Sequence, residues 1–421
     1  MAKDFNDARS ALLGAYERTR QATEALAAPL SAEDQCVQTM PDVSPTKWHR
    51  AHSTWFWETF LLGPNQSGYR VFSDDYCYLF NSYYEQVGER HPRPERGFLT
   101  RPACSEIGDY RRHVDAAVAD FLATASDERI GQVTGIVQLG IAHEQQHQEL
   151  LLTDIKHVLS RHPLGPAAYP APQGTSPKRT ATDFLDFDGG LVETGHTGPD
   201  FAFDNEGPRH KTWLEPFGLA DHPVTNGEYA DFIADGGYDT ATLWLSDGWA
   251  FVQSQAARAP LYWRKRDGAW FEFTLHGEQP LDRDAPVSHL NFYEANAFAE
   301  WTGYRLPTET EWEHASERAG PDGRFMEPGV SAHPAAVAGK GLRQMFGGVW
   351  EWTRSDYAPY PSFRAPEGAV GEYNGKFMCG QYVLRGGSCA TPPGHVRPTY
   401  RNFFPPAAQW QFSGLRLARD V

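Results

Sequence analysis

The stretch AHEQQHQELL, residues 142–151, sets His143 and His147 four apart with Glu144 beside the first. On a helix, side chains at i and i+4 share a face, so two imidazoles can aim at one point, which is why this spacing recurs in metal sites. Written as a pattern, the stretch is the HExxH of zinc proteases. The longer zincin pattern adds a turn-making glycine and a third histidine, but those positions are Leu150 and Thr153. QELLLTDIKHVL reads as uninterrupted helix, and His157 falls roughly 15 Å beyond His147 along its axis, out of reach of a shared ion. A third ligand is therefore expected from another helix. The structural alternative is a pair of ordinary hydrogen-bonded core histidines.

A second segment, WHRAHSTWFWE, offers that ligand. His52 shares a helical face with Trp48, Trp55 and Thr59, and His49 shares one with Phe56 and Phe60, so either can point inward. Two histidines from one helix and one from another make a facial set with open positions. Such a set suits a redox metal, non-heme iron above all, although the usual iron set includes a carboxylate. Zinc held by three histidines is the chemical competitor, and spacing alone does not choose.

These residues need rigid elements beneath them. FNDARSALLGAYERTRQATEALA has apolar residues at helical spacing. SPTKWHRAHSTWFWETFLLG opens with Ser44 and Pro45, an N-cap and first-turn pair, and closes at Gly63-Pro64. CSEIGDYRRHVDAAVADFLATA and VTGIVQLGIAHEQQHQELLLTDIKHVLSR complete a four-helix bundle. In the last of these, Ile136, Gly140, His143, His147, Leu150, Asp154 and Val158 form the expected interior stripe. Three regions are expected: a helical bundle over 1–162, a Pro/Gly/Ser-rich linker over 163–182, and an α+β domain with much irregular structure over 183–421. EANAFAEWTG and TETEWEHASE are the helices expected in the last region.

The 421 residues carry a formal charge of −16, which excludes the basic face that nucleic acid would require. No run approaches a transmembrane span, and MAKDFNDARSALL lacks the apolar core of a signal peptide, so no membrane partner and a cytoplasmic location are expected. Five cysteines with no CxxC are not a disulfide framework.

The ordered set SPxxWHxxHxxWFxE, NSYYExVGxRHPRPxRG, HExQHQE, FAFDNE, PVTNGEY, RLPTETEWE, GGVWEW and RGGS resembles the ergothioneine-biosynthetic sulfoxide synthases over nearly the whole chain. The resemblance implies an N-terminal DinB-like four-helix bundle followed by a C-type-lectin-like domain of the formylglycine-generating-enzyme, or sulfatase-modifying, type. It implies Fe(II) as cofactor, with His52, His143 and His147 as ligands. The sulfur of cysteine would be joined to the imidazole carbon of hercynine, N-α-trimethylhistidine, with dioxygen as oxidant. By the same resemblance Gln146 reaches hercynine through water, and Tyr83 or Tyr84 supplies a proton or hydrogen atom during the oxidation. Arg93 and Arg96, with Arg90 beside them, hold the sulfur substrate. Asn402, Phe403 and Phe404 line the betaine site, with Trp410 a further candidate, because a quaternary ammonium is best held against aromatic faces.

For the tyrosines the alternative is aromatic packing, and for the arginines surface ion pairs. GGVWEW and RLPTETEWE read as scaffolding, with Trp312, Trp350 and Trp352 in the core. Cys389 has no second cysteine nearby, so oxidation of cysteine by the C-terminal domain is not expected, and Cys389 reads as a buried structural thiol. Two alternative functions remain: a selenoneine synthase joining a selenosugar to hercynine, and a non-catalytic metal- and betaine-binding protein.

Overall fold

The computed structural model describes residues 2–172, 176–178, 181–320, 323–327, 329–330 and 332–421, with only the backbone of 2–8. They form two compact units, Met1–Pro163 with Glu367–Tyr373, and Leu164–Pro366 with Asn374–Val421.

The first unit packs four long helices: α1 (Ala2–Ala27), α2 (Thr46–Phe56), α5 (Cys104–Thr124) and α6 (Asp127–Ser160), with two short helices, α3 (Gly63–Asn65) and α4 (Asp75–Phe80), between them. The second helix departs from its expected ends. Ser44 is not its cap; Pro45 takes that position without a side-chain bond. The Ser44 N–H donates to Asp154 and its hydroxyl accepts from Arg96, so its polar groups are spent on tertiary partners. Nor does the helix stop at Gly63-Pro64. It passes through a π turn, Trp57–Leu62, into α3, where Pro64 is tolerated because a first-turn residue needs no N–H partner. Helix α6 starts six residues before the expected valine, at Asp127, with Ser126 accepting from the Arg129 N–H as a true N-cap.

The interior face of α6 is also rotated from the expected stripe. Ile136, His147 and Leu150 are only partly buried, whereas Val133, Val137, Gly140, Glu144, Gln148 and Leu151 are fully so. Glu144 and Gln148 read as polar, which disguised this face. Glu144 accepts from Arg20 Nη1 (2.9 Å), Thr23 Oγ1 (2.7 Å), Trp57 Nε1 (3.0 Å) and Arg111 Nη2 (3.1 Å). Gln148 donates to Thr19 O and Thr23 Oγ1. A Cβ on Gly140 would lie 2.6 Å from the Trp57 ring, so glycine is what lets α6 approach the π turn.

Among the described residues, the second unit contains four small sheets. They are β1 (Phe184–Phe187), β4 (Phe217–Ala220) and β12 (Ala418–Asp420); β2 (Gly190–Thr194) with β3 (His210–Leu214); β5 (Trp263–Arg266), β6 (Ala269–Thr274) and β7 (Gly277–Pro280); and β8 (Trp350–Asp356), β9 (Tyr382–Arg385), β10 (Asn402–Phe404) and β11 (Ser413–Gly414). Four α-helices accompany them among the described residues. Two were expected, α9 (Phe292–Thr302) and α10 (Glu309–Ser316), and two short ones were not, α7 (Asn226–Ala234) and α8 (Ser246–Gln255). The motifs RLPTETEWE and GGVWEW are structural. Thr308 and Glu311 of RLPTETEWE form a capping box on α10. Glu351 of GGVWEW is fully buried, bonded by Arg416 and by Trp312 Nε1 at 2.7 Å. Trp312, Trp350, Trp352 and Cys389 are all buried.

The stretch expected as a linker contains 173–175 and 179–180, which lie outside the described residues. Before them, the Ala168 and Tyr169 N–H groups both donate to Leu275 O, so this part packs as structure. No helix among the described residues is long and apolar enough to cross a membrane.

Candidate metal centre

Helices α2 and α6 bring His52, His143 and His147 together, with one ligand atom of each lying within 4.8 Å of the others. The ring centroids are 4.6–4.9 Å apart. His52 Nε2 lies 3.1 Å from His143 Nε2. Two nitrogens bound cis to one ion at ~2.1 Å would be about 3.0 Å apart, so this spacing fits an ion between them.

Second partners fix which nitrogens face the centre. His52 Nδ1 lies 2.6 Å from Phe80 O. A carbonyl only accepts, so Nδ1 carries the proton and Nε2 presents a lone pair. Asp154 acts on His147 at one remove. Its Oδ2 lies 2.9 Å from His49 Nε2, and His49 Nδ1 lies 2.9 Å from His147 Nδ1. With the carboxylate accepting, His49 Nε2 holds its proton, His49 Nδ1 accepts from His147, and the His147 Nε2 lone pair is left for an ion. His49, which the sequence left as a possible ligand, is thus a support for one. His143 stacks on Phe56, and its buried Nδ1 has no hydrogen-bond partner among the described residues.

Charge and packing agree with this arrangement. Burial pulls His143 down to about 3 and holds His52 and His147 well below the usual imidazole range, helped by their mutual repulsion. All three are neutral at ordinary pH, as metal ligands must be. The His52 ring lies between Trp48 (4.6 Å, 10°) and Trp55 (5.4 Å, 20°), which locks its rotation. These donors fit a divalent transition metal. Glu144, the carboxylate of HExxH, faces away into the bundle. Burial raises its pKa, but Arg20 and Arg111 outweigh burial and leave it at about 2. It is a structural anion, and a protease base is not available at that position.

The other candidates divide. Tyr84 is fully buried against Trp55 and Phe60, and its phenol is raised well above the usual range by burial first and Tyr83 second. Asn81 fixes its backbone, accepting from Tyr84 N–H and donating to Tyr84 O. Tyr83 is half-buried, its ring 4.6 Å from that of Tyr84. Of the arginines, only Arg96 is buried. Its guanidinium lies 3.4 Å over Trp48, the ring that stacks on His52, and it donates to Ser44 Oγ. Arg90 is exposed and pairs with Glu85, and exposed Arg93 donates to Asp42 O. Asn402, Phe403, Phe404 and Trp410 belong to the second unit, where Phe403 stacks on Tyr357 (4.0 Å, 11°) and Phe404 meets Trp410 edge-on (5.8 Å).

One residue escaped the sequence reading. Tyr373, on the segment that joins the first unit from far along the chain, donates its hydroxyl to Gln146 Oε1. Its ring lies 5.9 Å from His143 and 6.4 Å from Tyr83. No local pattern in GEYNGKF signals this, because its partner is 227 residues away.

The chain matches the DinB superfamily over residues 15–151 and the Sulfatase-modifying factor enzyme 1-like domain over 170–337 and 326–421. It is 34% identical over 415 residues to a hercynine oxygenase of Mycolicibacterium smegmatis, spanning 90% of this chain and 92% of that one. A hercynine oxygenase of Mycobacterium tuberculosis is 34% identical, spanning 92% and 93%. Ergothioneine biosynthesis protein 1 of Schizosaccharomyces pombe is 31% identical over 234 residues, 52% of this chain and 28% of that longer one.

Proposed function

This chain belongs to the hercynine oxygenase family, the sulfoxide synthases of ergothioneine biosynthesis, and from that membership we propose that it joins the sulfur of cysteine to the imidazole carbon of hercynine, consuming dioxygen at Fe(II). The observation that carries the reading is the neutral three-histidine cluster, with lone pairs fixed by Phe80 O and by the Asp154–His49 pair.

His52, His143 and His147 would hold the iron, which supplies redox chemistry and open positions for small ligands when bound. The protein's own part is positioning and proton control. Trp48, Trp55 and Phe56 wall the histidines with apolar surface that excludes water. Tyr373 supplies a hydroxyl beside His143, aimed by Gln146, and the Tyr83 ring lies 6.4 Å from that of Tyr373. Either phenol can deliver a proton, whereas Tyr84 is sealed among rings and serves as packing. Gln146 also offers its amide to hercynine, and Arg96, buried and without a carboxylate bonded to it among the described residues, is the cation suited to a substrate carboxylate. Asn402, Phe403, Phe404 and Trp410 are proposed to line the betaine site.

The test is a single-turnover competition. Anaerobic Fe(II)-loaded protein is mixed with hercynine, cysteine, γ-glutamylcysteine and a selenosugar, then given oxygen, and the products are weighed by mass spectrometry. A hercynylcysteine sulfoxide is the expected product. A selenium adduct would move the assignment to the selenium donor. No hercynine adduct with any donor, from protein that retains its iron, would leave a metal- and betaine-binding role instead.

A further inference from the structure

Tyr373 enters the first unit on a segment, Glu367–Tyr373, that is distant from it in sequence and must be held there. The loop that carries Tyr83 and Tyr84 supplies the hold. Its backbone N–H groups can be followed one by one. The Tyr84 N–H donates to Asn81 Oδ1 (3.1 Å), and the Val87 N–H closes a turn on Tyr84 O (3.1 Å). The two between them go to Glu372. The Glu85 N–H donates to Glu372 Oε2 (3.1 Å), and the Gln86 N–H donates to Glu372 Oε1 (3.0 Å). Each carboxylate oxygen takes one N–H. Two consecutive amides aimed at one anion form a nest, a concavity that favours negative charge. Asn81 stiffens the nest, donating to Tyr84 O (3.0 Å) and Gly88 O (3.1 Å). On the other partner, Glu372 ends a 3-10 turn, Ala369–Glu372, in which the Gly371 N–H donates to Gly368 O (3.0 Å) and the Tyr373 N–H to Val370 O (3.2 Å). Tyr373 follows directly, buried, with its hydroxyl on Gln146 and its ring 5.9 Å from that of His143.

We propose that Glu372 is the positioning residue for the Tyr373 hydroxyl: its carboxylate, seated on the Glu85 and Gln86 amides, docks the segment and sets the phenol beside His143. What the phenol then does rests on the reaction proposed above; where it is held rests on these hydrogen bonds. A tight turn leaves little slack between adjacent residues, so fixing the Glu372 carboxylate fixes where the Tyr373 side chain begins. The bond from Tyr373 to Gln146 joins two neutral groups. The clasp makes two bonds to a charge, and charge-assisted bonds are roughly twice as strong. The clasp therefore holds the segment, and the Gln146 bond chooses the direction of the hydroxyl. The same contact ties the loop of Tyr83 to the segment of Tyr373, which sets the 6.4 Å between their rings.

Hydrogen exchange resolved to single amides, on the full iron-loaded chain without oxygen, reads the clasp independently of turnover. In Glu372→Ala the Glu85, Gln86 and Tyr373 amides are expected to exchange at least about tenfold faster. Tyr373→Phe should leave Glu85 and Gln86 protected. Glu372→Gln keeps one accepting oxygen and turns an NH2 toward the other amide, so one of the two is expected to stay protected. Formation of the hercynine adduct is measured on the same proteins. Glu372→Ala is expected to lower it by about 10–100-fold with iron content unchanged, and Glu372→Gln to recover part of the loss. The double variant with Tyr373→Phe should be no slower than Tyr373→Phe alone, because both changes act on one hydroxyl. Unchanged exchange at Glu85 and Gln86 in Glu372→Ala would overturn the proposal. So would losses that multiply in the double variant, the mark of a general structural effect. Should Glu372→Ala not fold, the exchange of Glu372→Gln decides. Wild-type protein that forms no hercynine adduct would overturn the proposed reaction, and exchange would still decide whether Glu372 docks Tyr373.

Discussion

His49 and His147 face one another Nδ1 to Nδ1 at 2.9 Å, and the far nitrogen of His49 rests 2.9 Å from the Asp154 carboxylate. A buried carboxylate therefore sets the tautomer of a candidate ligand through an intervening imidazole. Asp154→Asn keeps the shape but lets the amide donate, which can reverse both tautomers and turn an N–H toward the ion. Metal affinity is expected to fall by about 10–100-fold with His52, His143 and His147 untouched. Competition with a calibrated chelator measures it, and unchanged affinity would show that the relay has no hold on the centre.

Glu144 carries the opposite expectation. It answers two buried guanidiniums, Arg20 and Arg111, at 2.9 and 3.1 Å. Glu144→Gln leaves those cations short of charge in a dry interior and is expected to cost about 3–5 kcal/mol of stability. Metal affinity of the protein that remains folded should change little. Denaturant unfolding beside metal titration separates the two, and a variant of native stability that had lost only activity would restore a catalytic role to this carboxylate.

Gly140→Ala tests the approach of α6 to the π turn. The added methyl would meet three Trp57 ring atoms at 2.6–2.9 Å. Alanine gains about 1 kcal/mol of helix propensity over glycine, but overpacking of this kind costs about 1–3 kcal/mol, and displacing Trp57 strains its bond to Glu144. A net loss of stability is expected in urea unfolding; a net gain would mean the ring moves freely.

Tyr373→Phe removes the hydroxyl that bonds Gln146 while keeping the ring beside His143. Iron content should be unaffected. Formation of the hercynine adduct is expected to fall by about 100-fold, the range of a lost proton donor. Equal turnover in the phenylalanine variant would confine Tyr373 to packing.

Glu294 in the second unit predicts a pH dependence. It is fully buried, bonded by Tyr238 (2.7 Å), the Asn291 N–H (2.9 Å) and Gln409 (2.7 Å). Burial pushes it up from 4.5 to about 7, against the pull of these donors. A raised folded value means the folded state binds the proton more tightly. That contribution is complete below the unfolded value, near 4.5, and is lost as pH rises through about 7. Its full size is about 3 kcal/mol. In Glu294→Gln, the amide can donate to Tyr238, whose hydroxyl can turn to Tyr229 at 3.1 Å. The variant should match the wild type near pH 5 and exceed it in thermal stability at pH 8. Parallel curves across that range would refute the assignment.

By itself the sequence determined the elements that repeat at fixed spacing. Apolar periodicity marked α1, α2, α5 and α6, the i, i+4 pair in AHEQQHQE marked two imidazoles on one face, and the order of motifs marked both domains. What it left open needed neighbours. His49 and His52 are three residues apart on adjoining faces of α2, and only the packing of α2 on α6 decides which meets His143 and which meets Asp154. Periodicity misread the interior of α6, because Glu144 and Gln148 are buried by virtue of partners on α1, α5 and the π turn, which no local pattern reveals. Arg90, Arg93 and Arg96 look alike in ERHPRPERG, yet one lies over Trp48 and two reach other partners at the surface. Tyr373 meets Gln146 across 227 residues of chain. Spacing along a helix fixes direction relative to its own axis; which direction is inside, and what waits there, is fixed only when the other helices arrive.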